Sequence, residues 1–323
     1  MVPAYWGRRL PNFATTDSAG RRFEYHRDVT HGPTVLARGL DQEDVERLIA
    51  AIDGMATLLL IEALPGPPPA EHRYRELRDA DGRIRAALFP DAKSGAEVLL
   101  ADPAQRLIDR VAPDADGIRR LRNGLAILAR APGQERRATA PVMLLPNLLP
   151  AEQCRRLIAA LEAGHREGTV AILGADGVAR HVELPDRKRR RDLTLERNDP
   201  LYREVAAAFV ERLMPELWKA WWIDRLRTEA FYVACYQSDR SDFFSAHRDN
   251  NLPGTANRRL AVSIELNDDY DGGGLVFPEY SDDRWRAPAG GGLVFSCSLM
   301  HEAVPVTAGR RYVLLAFLAA PPG

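Results

Sequence analysis

From about residue 8 to 130, apolar positions recur now at strand spacing and now at helix spacing. Asn12–Asp17 followed by Gly20–Phe23 predicts a hairpin, and Thr34–Ala37 a short buried strand. Over Asp41–Asp53 the apolar residues are Val45, Leu48, Ile49 and Ile52, which is helical spacing behind an acidic start. Thr57–Ile61 is a fully apolar strand. Glu97–Ala101 leads through Asp102 and Pro103 into Arg106–Ile108 as a second hairpin, and a last helix covers Ala115–Leu128. Strands interleaved with helices of this length predict an α/β sandwich.

Residues 131–141, APGQERRATAP, mix small, charged and proline residues without periodicity, which is linker composition. The expected organisation is a domain over residues 1–131, a linker over 132–140 and a second domain over 141–323. In the second, Pro150 opens a helix with Cys154, Leu157, Ile158 and Leu161 on one face, stopped by Gly164. Asn198, Asp199 and Pro200 start another helix, which carries Leu201, Val205 and Phe209 and ends at Pro215. After Arg227 the spacing becomes two. Phe231–Gln237, Phe243–Asp249, Leu260–Asn267, Leu275–Phe277, Leu293–Cys297 and Arg311–Leu318 are short strands parted by Gly, Asp and Pro clusters. Such strands predict a sandwich or barrel.

Composition narrows the function classes. A chain of 323 residues is too long for one ordinary core, so two domains are expected. Its net charge of -1 gives no global field to recruit nucleic acid or a membrane surface. The longest apolar runs, such as Met55–Leu64, fall short of the roughly 20 residues a helix needs to cross a bilayer. The opening MVPAYWGRRL has no apolar stretch behind its charges, so no signal peptide and a cytoplasmic setting are expected. Cys154, Cys235 and Cys297 match no metal or redox spacing and are expected as reduced core residues, although the last two stand close in sequence to the site candidates.

Those candidates begin with FFSAHRDNN, in which His247 and Asp249 share one face of a strand and Arg248 turns away. His301 follows just before the final strand. Two imidazoles and one carboxylate, leaving three open positions, form a facial triad that suits Fe(II). Arg311 lies ten residues past His301 at the start of an alternating strand, on the face of Val313, Leu315 and Phe317. A buried guanidinium needs an anionic partner, and no protein acid is evident, so a bound carboxylate is the expectation. Tyr236, on a preceding strand, is placed to bond the same carboxylate. LNDDYDGGGLVFP adds an acidic turn and a glycine cluster.

Two resemblances extend this reading. GRRLPNFATTDSAGRRF is similar to the start of a peroxiredoxin, and DADGRIRAALF followed by AEVLLADPAQRLI to its later half. The first domain thus resembles the thioredoxin and peroxiredoxin fold, but RGLDQEDVERL stands where that family keeps its reactive cysteine. Without a thiolate there is no thiol chemistry. The implied role is a scaffold or partner-binding domain, not a peroxidase.

Residues 230–318 resemble the prolyl-hydroxylase-like branch of the iron(II)/2-oxoglutarate oxygenases. The order is a tyrosine on a strand, His-x-Asp, Leu-Asn before Gly-Gly and Phe-Pro, then His-x-x-x-Pro-Val-x-x-Gly-x-Arg. The resemblance implies a double-stranded β-helix (jelly-roll) with supporting helices, giving an α+β protein of two domains. It implies His247, Asp249 and His301 as metal ligands, Arg311 as the 2-oxoglutarate anchor and Tyr236 as its helper. Fe(II), 2-oxoglutarate and O2 are the implied cofactor and co-substrates. Succinate and CO2 are released, and an unactivated C–H bond of an amino acid, peptide or protein is hydroxylated. Some relatives have a tyrosine where this chain has Glu265. Glu265, Asn250, Asn251 and Arg259 are taken as substrate contacts.

Other features are assigned blander roles. The run Arg187–Arg191 reads as a solvated loop, with a lid over an acidic substrate as its functional alternative. Nucleic acid is a poor fit, because no aromatic residues interleave the run. Trp218, Trp221 and Trp222 are expected in the core. His26, His31, His72, His165 and His181 have no ligand-spaced partners. Two competing functions are a non-catalytic binding module on a vestigial oxygenase barrel and a zinc hydrolase.

Overall fold

A computed structural model describes residues 6–29, 32–62, 74–90, 95–128, 139–173 and 179–321. The fold is mixed α+β with strands in the majority. The chain divides into two compact units, Met1–Gln134 and Glu135–Gly323. Most of the expected linker, residues 132–138, and His31 and His72 lie outside the described residues. No helix among the described residues is long and apolar enough to cross a membrane.

The first unit is built on a five-stranded sheet in the order Arg75–Leu77, Thr57–Ile61, Thr34–Arg38, Glu97–Ala101, Leu107–Val111. The first three strands run parallel and the last two antiparallel. Strand alternation assigns each side chain to a face. Val35, Ala37, Leu58, Leu60, Val98 and Leu100 meet Val45, Leu48, Leu121 and Leu125 of the helices Gln42–Ile52 and Ala115–Leu128. Leu36, Leu59, Ile61 and Leu99 face Phe23, Tyr25 and Leu88 instead. The Asp41 side chain caps the first of those helices by accepting from the Asp44 N–H at 2.8 Å.

The second unit is built on two large antiparallel sheets, with two two-stranded ribbons, Val170–Leu173 with Ala179–Val182 and Asp271–Gly272 with Val306–Ala308, beside them among the described residues. Seven strands form the larger, in the order Met143–Leu145, Gly292–Ser296, Arg258–Glu265, Arg310–Ala319, Arg227–Gln237, Arg191–Leu195, Arg166–Glu167. Five form the smaller: Lys188–Arg189, Phe243–His247, His301–Ala303, Leu275–Phe277, Ser281–Trp285. The central strands of the larger sheet are apolar on both faces because both are buried. Val233, Cys235, Val262, Ile264 and Leu314 pack on Leu157 and Leu161 of Ala151–Ala163 and on Val205 of Pro200–Ala208. Ala234, Tyr236, Ala261, Phe295 and Val313 pack on Leu275, Phe277 and Ala303 of the smaller sheet.

Three expectations are corrected. Pro215 does not end its helix: Pro200–Ala208 passes through a π turn, Phe209–Leu213, into Met214–Trp221. The proline falls in the first turn of that last segment, where its missing N–H costs little, and the widened turn carries the chain past it. Trp218, Trp221 and Trp222 are 48%, 37% and 77% exposed, not core, because this helix buries the face of Glu216 and Leu217. Arg187–Arg191 is no solvated loop either. Lys188 and Arg190 are buried, and the run is woven into strands of both sheets.

Candidate metal centre

The smaller sheet sets the geometry of the triad. His247 closes the strand Phe243–His247, His301 opens His301–Ala303, and the two are register partners across the antiparallel pair. Asp249 stands two residues beyond the strand end, tied by its N–H to the Cys297 carbonyl at 3.0 Å. Its carboxylate lies between the rings, Oδ1 at 3.5 Å from His247 Nε2 and Oδ2 at 3.4 Å from His301 Nε2. One donor atom from each of the three groups falls within 4.8 Å of the others.

The tautomers are set from behind. His247 Nδ1 faces the Ser245 carbonyl at 2.8 Å and His301 Nδ1 faces the Leu299 carbonyl at 3.0 Å. Each Nδ1 then carries the proton, which leaves both Nε2 lone pairs aimed at the centre. Burial pulls the His301 imidazole toward its neutral form. For Asp249 burial pushes the carboxyl up, but His247, His301 and the Arg258 guanidinium beside it outweigh that and hold the carboxyl low. Two neutral nitrogens and an anionic oxygen, converging from one side, fit a divalent transition metal. Outside the triad, Arg248 bridges the loops. It bonds Glu279 at 2.7 Å and the Ser298 carbonyl, while Glu279 accepts from the Met300 N–H at 2.8 Å.

A narrow cavity of about 50 Å³ is lined by His247, Asp249 and His301 together with Leu275, Phe295, Val313 and Arg311. Arg311 is 1% exposed and charged. Burial opposes that charge, and Glu265 more than offsets the opposition. Here the expectation that no protein acid serves Arg311 is corrected. Nε donates to Glu265 Oε2 at 3.1 Å and Nη2 to Oε1 at 2.6 Å, and the Tyr270 hydroxyl donates to Oε2 at 2.8 Å. Glu265 is 0% exposed and is therefore no open substrate contact. The glycine cluster makes room for this arrangement. Gly273 has φ 67°, and a Cβ on it would lie 3.0 Å from Arg311 Cδ and 2.8 Å from Val306 Cγ2. Gly273→Ala is expected to cost about 2–4 kcal/mol through overpacking and left-handed strain, read from the denaturant midpoint; a loss under about 1 kcal/mol would contradict this.

Tyr236 is the cross-strand partner of Arg311 and lines the same cavity. Its hydroxyl accepts from Arg190 Nη1 at 2.8 Å, and its ring lies 5.5 Å from the Arg311 guanidinium carbon. That bond uses a lone pair of the phenol oxygen and leaves the O–H proton of Tyr236 to donate. Lys188 and Arg190 share Asp192, at 2.9 and 2.7 Å. Burial, reinforced by Arg190, brings the Lys188 ammonium down to about 8.

Outward from the triad opens a larger cavity of about 1020 Å³. Lys188, Arg190, Asn251 and Arg258 line it. Asn250 instead donates to Ser298 Oγ at 2.7 Å, and Arg259 is exposed and lines neither cavity. Its neighbour Arg258 holds the position expected of it, paired with Glu229 at 2.8 Å and lying 3.8 Å over the Phe317 ring. Adjacent strand residues point to opposite faces, so an error of one residue changes the side. His181 also lines this cavity, unforeseen because nothing in its spacing sets it apart. Cys235 and Cys297 are free and buried and line neither cavity.

No family model matches the chain. It is 28% identical over 182 residues to a PKHD-type hydroxylase of Stutzerimonas stutzeri, covering 53% of this chain and 74% of that protein. It is 30% identical over 181 residues to the PKHD-type hydroxylase PiuC of Pseudomonas aeruginosa, covering 52% and 74%. Among solved structures, the viral collagen prolyl hydroxylase of Paramecium Bursaria Chlorella virus-1 aligns with a TM-score of 0.43 at 16% identity, over 56% of this chain and 96% of that one.

Proposed function

The chain belongs to the PKHD-type hydroxylases, and on that premise we propose that it is an Fe(II)- and 2-oxoglutarate-dependent dioxygenase. It hydroxylates an unactivated C–H bond of an amino acid, peptide or protein. The observation that carries this reading is the convergence of His247, Asp249 and His301 on the lining of a cavity that Arg311 also lines. Bound iron, with 2-oxoglutarate and O2, supplies the oxidising chemistry. The chain's own residues do the holding. The two Nε2 atoms and the Asp249 carboxylate take the metal. The edge of Arg311 that faces the cavity receives the distal carboxylate, and Leu275, Phe295 and Val313 keep water from the space between. The outer cavity is large enough for a side chain together with its flanking backbone.

We read the second unit as a double-stranded β-helix. Its two facing antiparallel sheets, with helices behind the larger, support that reading. The first unit we read as a thioredoxin-like domain without its cysteine. Its three parallel strands followed by two antiparallel ones, with a helix on the loop after Thr34–Arg38, support that assignment.

The test is succinate formation by purified protein supplied with Fe(II), 2-oxoglutarate and O2, alongside a search of cell peptides and metabolites for a gain of one oxygen atom. Turnover that needs all three and falls at least about 100-fold in His301→Ala is expected. Turnover unchanged by chelation, or none with any 2-oxo acid, would refute the proposal.

A further inference from the structure

Glu265 stands behind Arg311, outside the lining of the narrow cavity, and no step proposed above uses it. Its carboxylate occupies the Nε–Nη2 side of the guanidinium and takes a third hydrogen bond from Tyr270. Arg311 therefore meets the cavity with its remaining edge, and with its charge already balanced by an internal carboxylate that is 0% exposed. A diacid whose distal end docked on that edge would bring a second negative charge close to the first. Two like charges about 6 Å apart in a partly buried setting repel by an amount worth roughly a hundredfold in affinity. This offsets much of what the guanidinium contributes.

Resting on the reading of this centre as a 2-oxo acid site, we propose that Glu265 is a positioning residue that sets co-substrate selection. It orients Arg311 and neutralises it, so that the cavity accepts 2-oxoglutarate without strongly selecting it over 2-oxo acids whose tails carry no charge. The feature behind this is that the partner of Arg311 is anionic, which sets the charge at the arginine's end of the cavity.

The experiment uses the full chain loaded with Mn(II) and titrated by calorimetry. The probes are 2-oxoglutarate and 5-methyl-2-oxohexanoate, which has an isopropyl group in place of the distal carboxylate. A preference for 2-oxoglutarate of less than about thirtyfold is expected, and a larger one overturns the proposal. In Glu265→Gln that preference is expected to rise about tenfold or more. An unchanged or smaller preference, in protein that circular dichroism shows to be folded, overturns the proposal too. If the variant does not fold, the wild-type ratio decides alone. Binding of neither acid by protein that has taken up Mn(II) is a different result: it removes the 2-oxo acid reading and this proposal with it.

Discussion

Replacing Arg311 with methionine is expected to cost about 3–5 kcal/mol of folding stability, because it strands a carboxylate where water does not reach. Glu265 is 0% exposed, and its partners are Arg311 and the Tyr270 hydroxyl. One phenol cannot stand in for a guanidinium that supplies two charge-assisted bonds. The double change Arg311→Met with Glu265→Leu is expected to recover most of the loss, since a buried ion pair exchanged for apolar side chains of similar volume is often close to neutral. A shortfall of about 1–2 kcal/mol is expected to remain, because the buried Tyr270 hydroxyl keeps no acceptor; adding Tyr270→Phe should remove it. Denaturant unfolding of the four proteins checks the series. A single variant as stable as the double would mean that the pair contributes no coupling. Co-substrate binding separates the two roles of Arg311, for it should be lost in the double variant even where stability returns.

That the pair exists was not legible, and the reason is geometric. Glu265 ends the strand Arg258–Glu265, while Arg311 is the second residue of Arg310–Ala319. Only the register between those two neighbouring strands brings the side chains together. Alternation along either strand alone says that Arg311 points inward, which it does, and says nothing of what it meets there. The strands whose apolar runs are bounded by glycine, proline or aspartate were legible to the residue, as Thr57–Ile61, Glu97–Ala101 and Leu275–Phe277 illustrate. Helix caps were equally plain at Asp41 and Asp199, whose side chains accept from the first turn.

Charge and aromatic content are poor guides to exposure in this chain. Lys188 and Arg190 are drawn inside by Asp192, which follows the run by one residue and gives two cations a common anion. The tryptophans went the other way. On Met214–Trp221 the side with Leu217 is held by the core, and Trp218 and Trp222 cover each other, rings 4.7 Å apart, instead of entering it. A helix with apolar residues on two sides carries no mark of which one the fold buries.

Exchange of Asp249 for alanine is expected to leave the fold standing and to lower metal affinity by at least about 100-fold. The carboxylate is the anionic member of the triad and the group that both Nε2 atoms face, at 3.5 and 3.4 Å. Its removal leaves two imidazoles, each still fixed by its own backbone carbonyl, so the rings should keep their places while the charge that draws a cation is gone. Folding stability should change little, because the variant also releases a buried anion from its desolvation cost. The scale of the affinity loss distinguishes a ligand from a support. Outer groups that orient ligands typically change affinity by about 10–100-fold, and Glu279→Ala, which loosens the brace through Arg248 and Met300, belongs at or below the lower end of that range. Titration with Mn(II), followed by electron paramagnetic resonance, measures both variants on one scale. If Asp249→Ala bound metal within tenfold of the wild type, or lost no more than Glu279→Ala does, the carboxylate would not be a ligand. The centre would then have to be built from the two histidines and some other group.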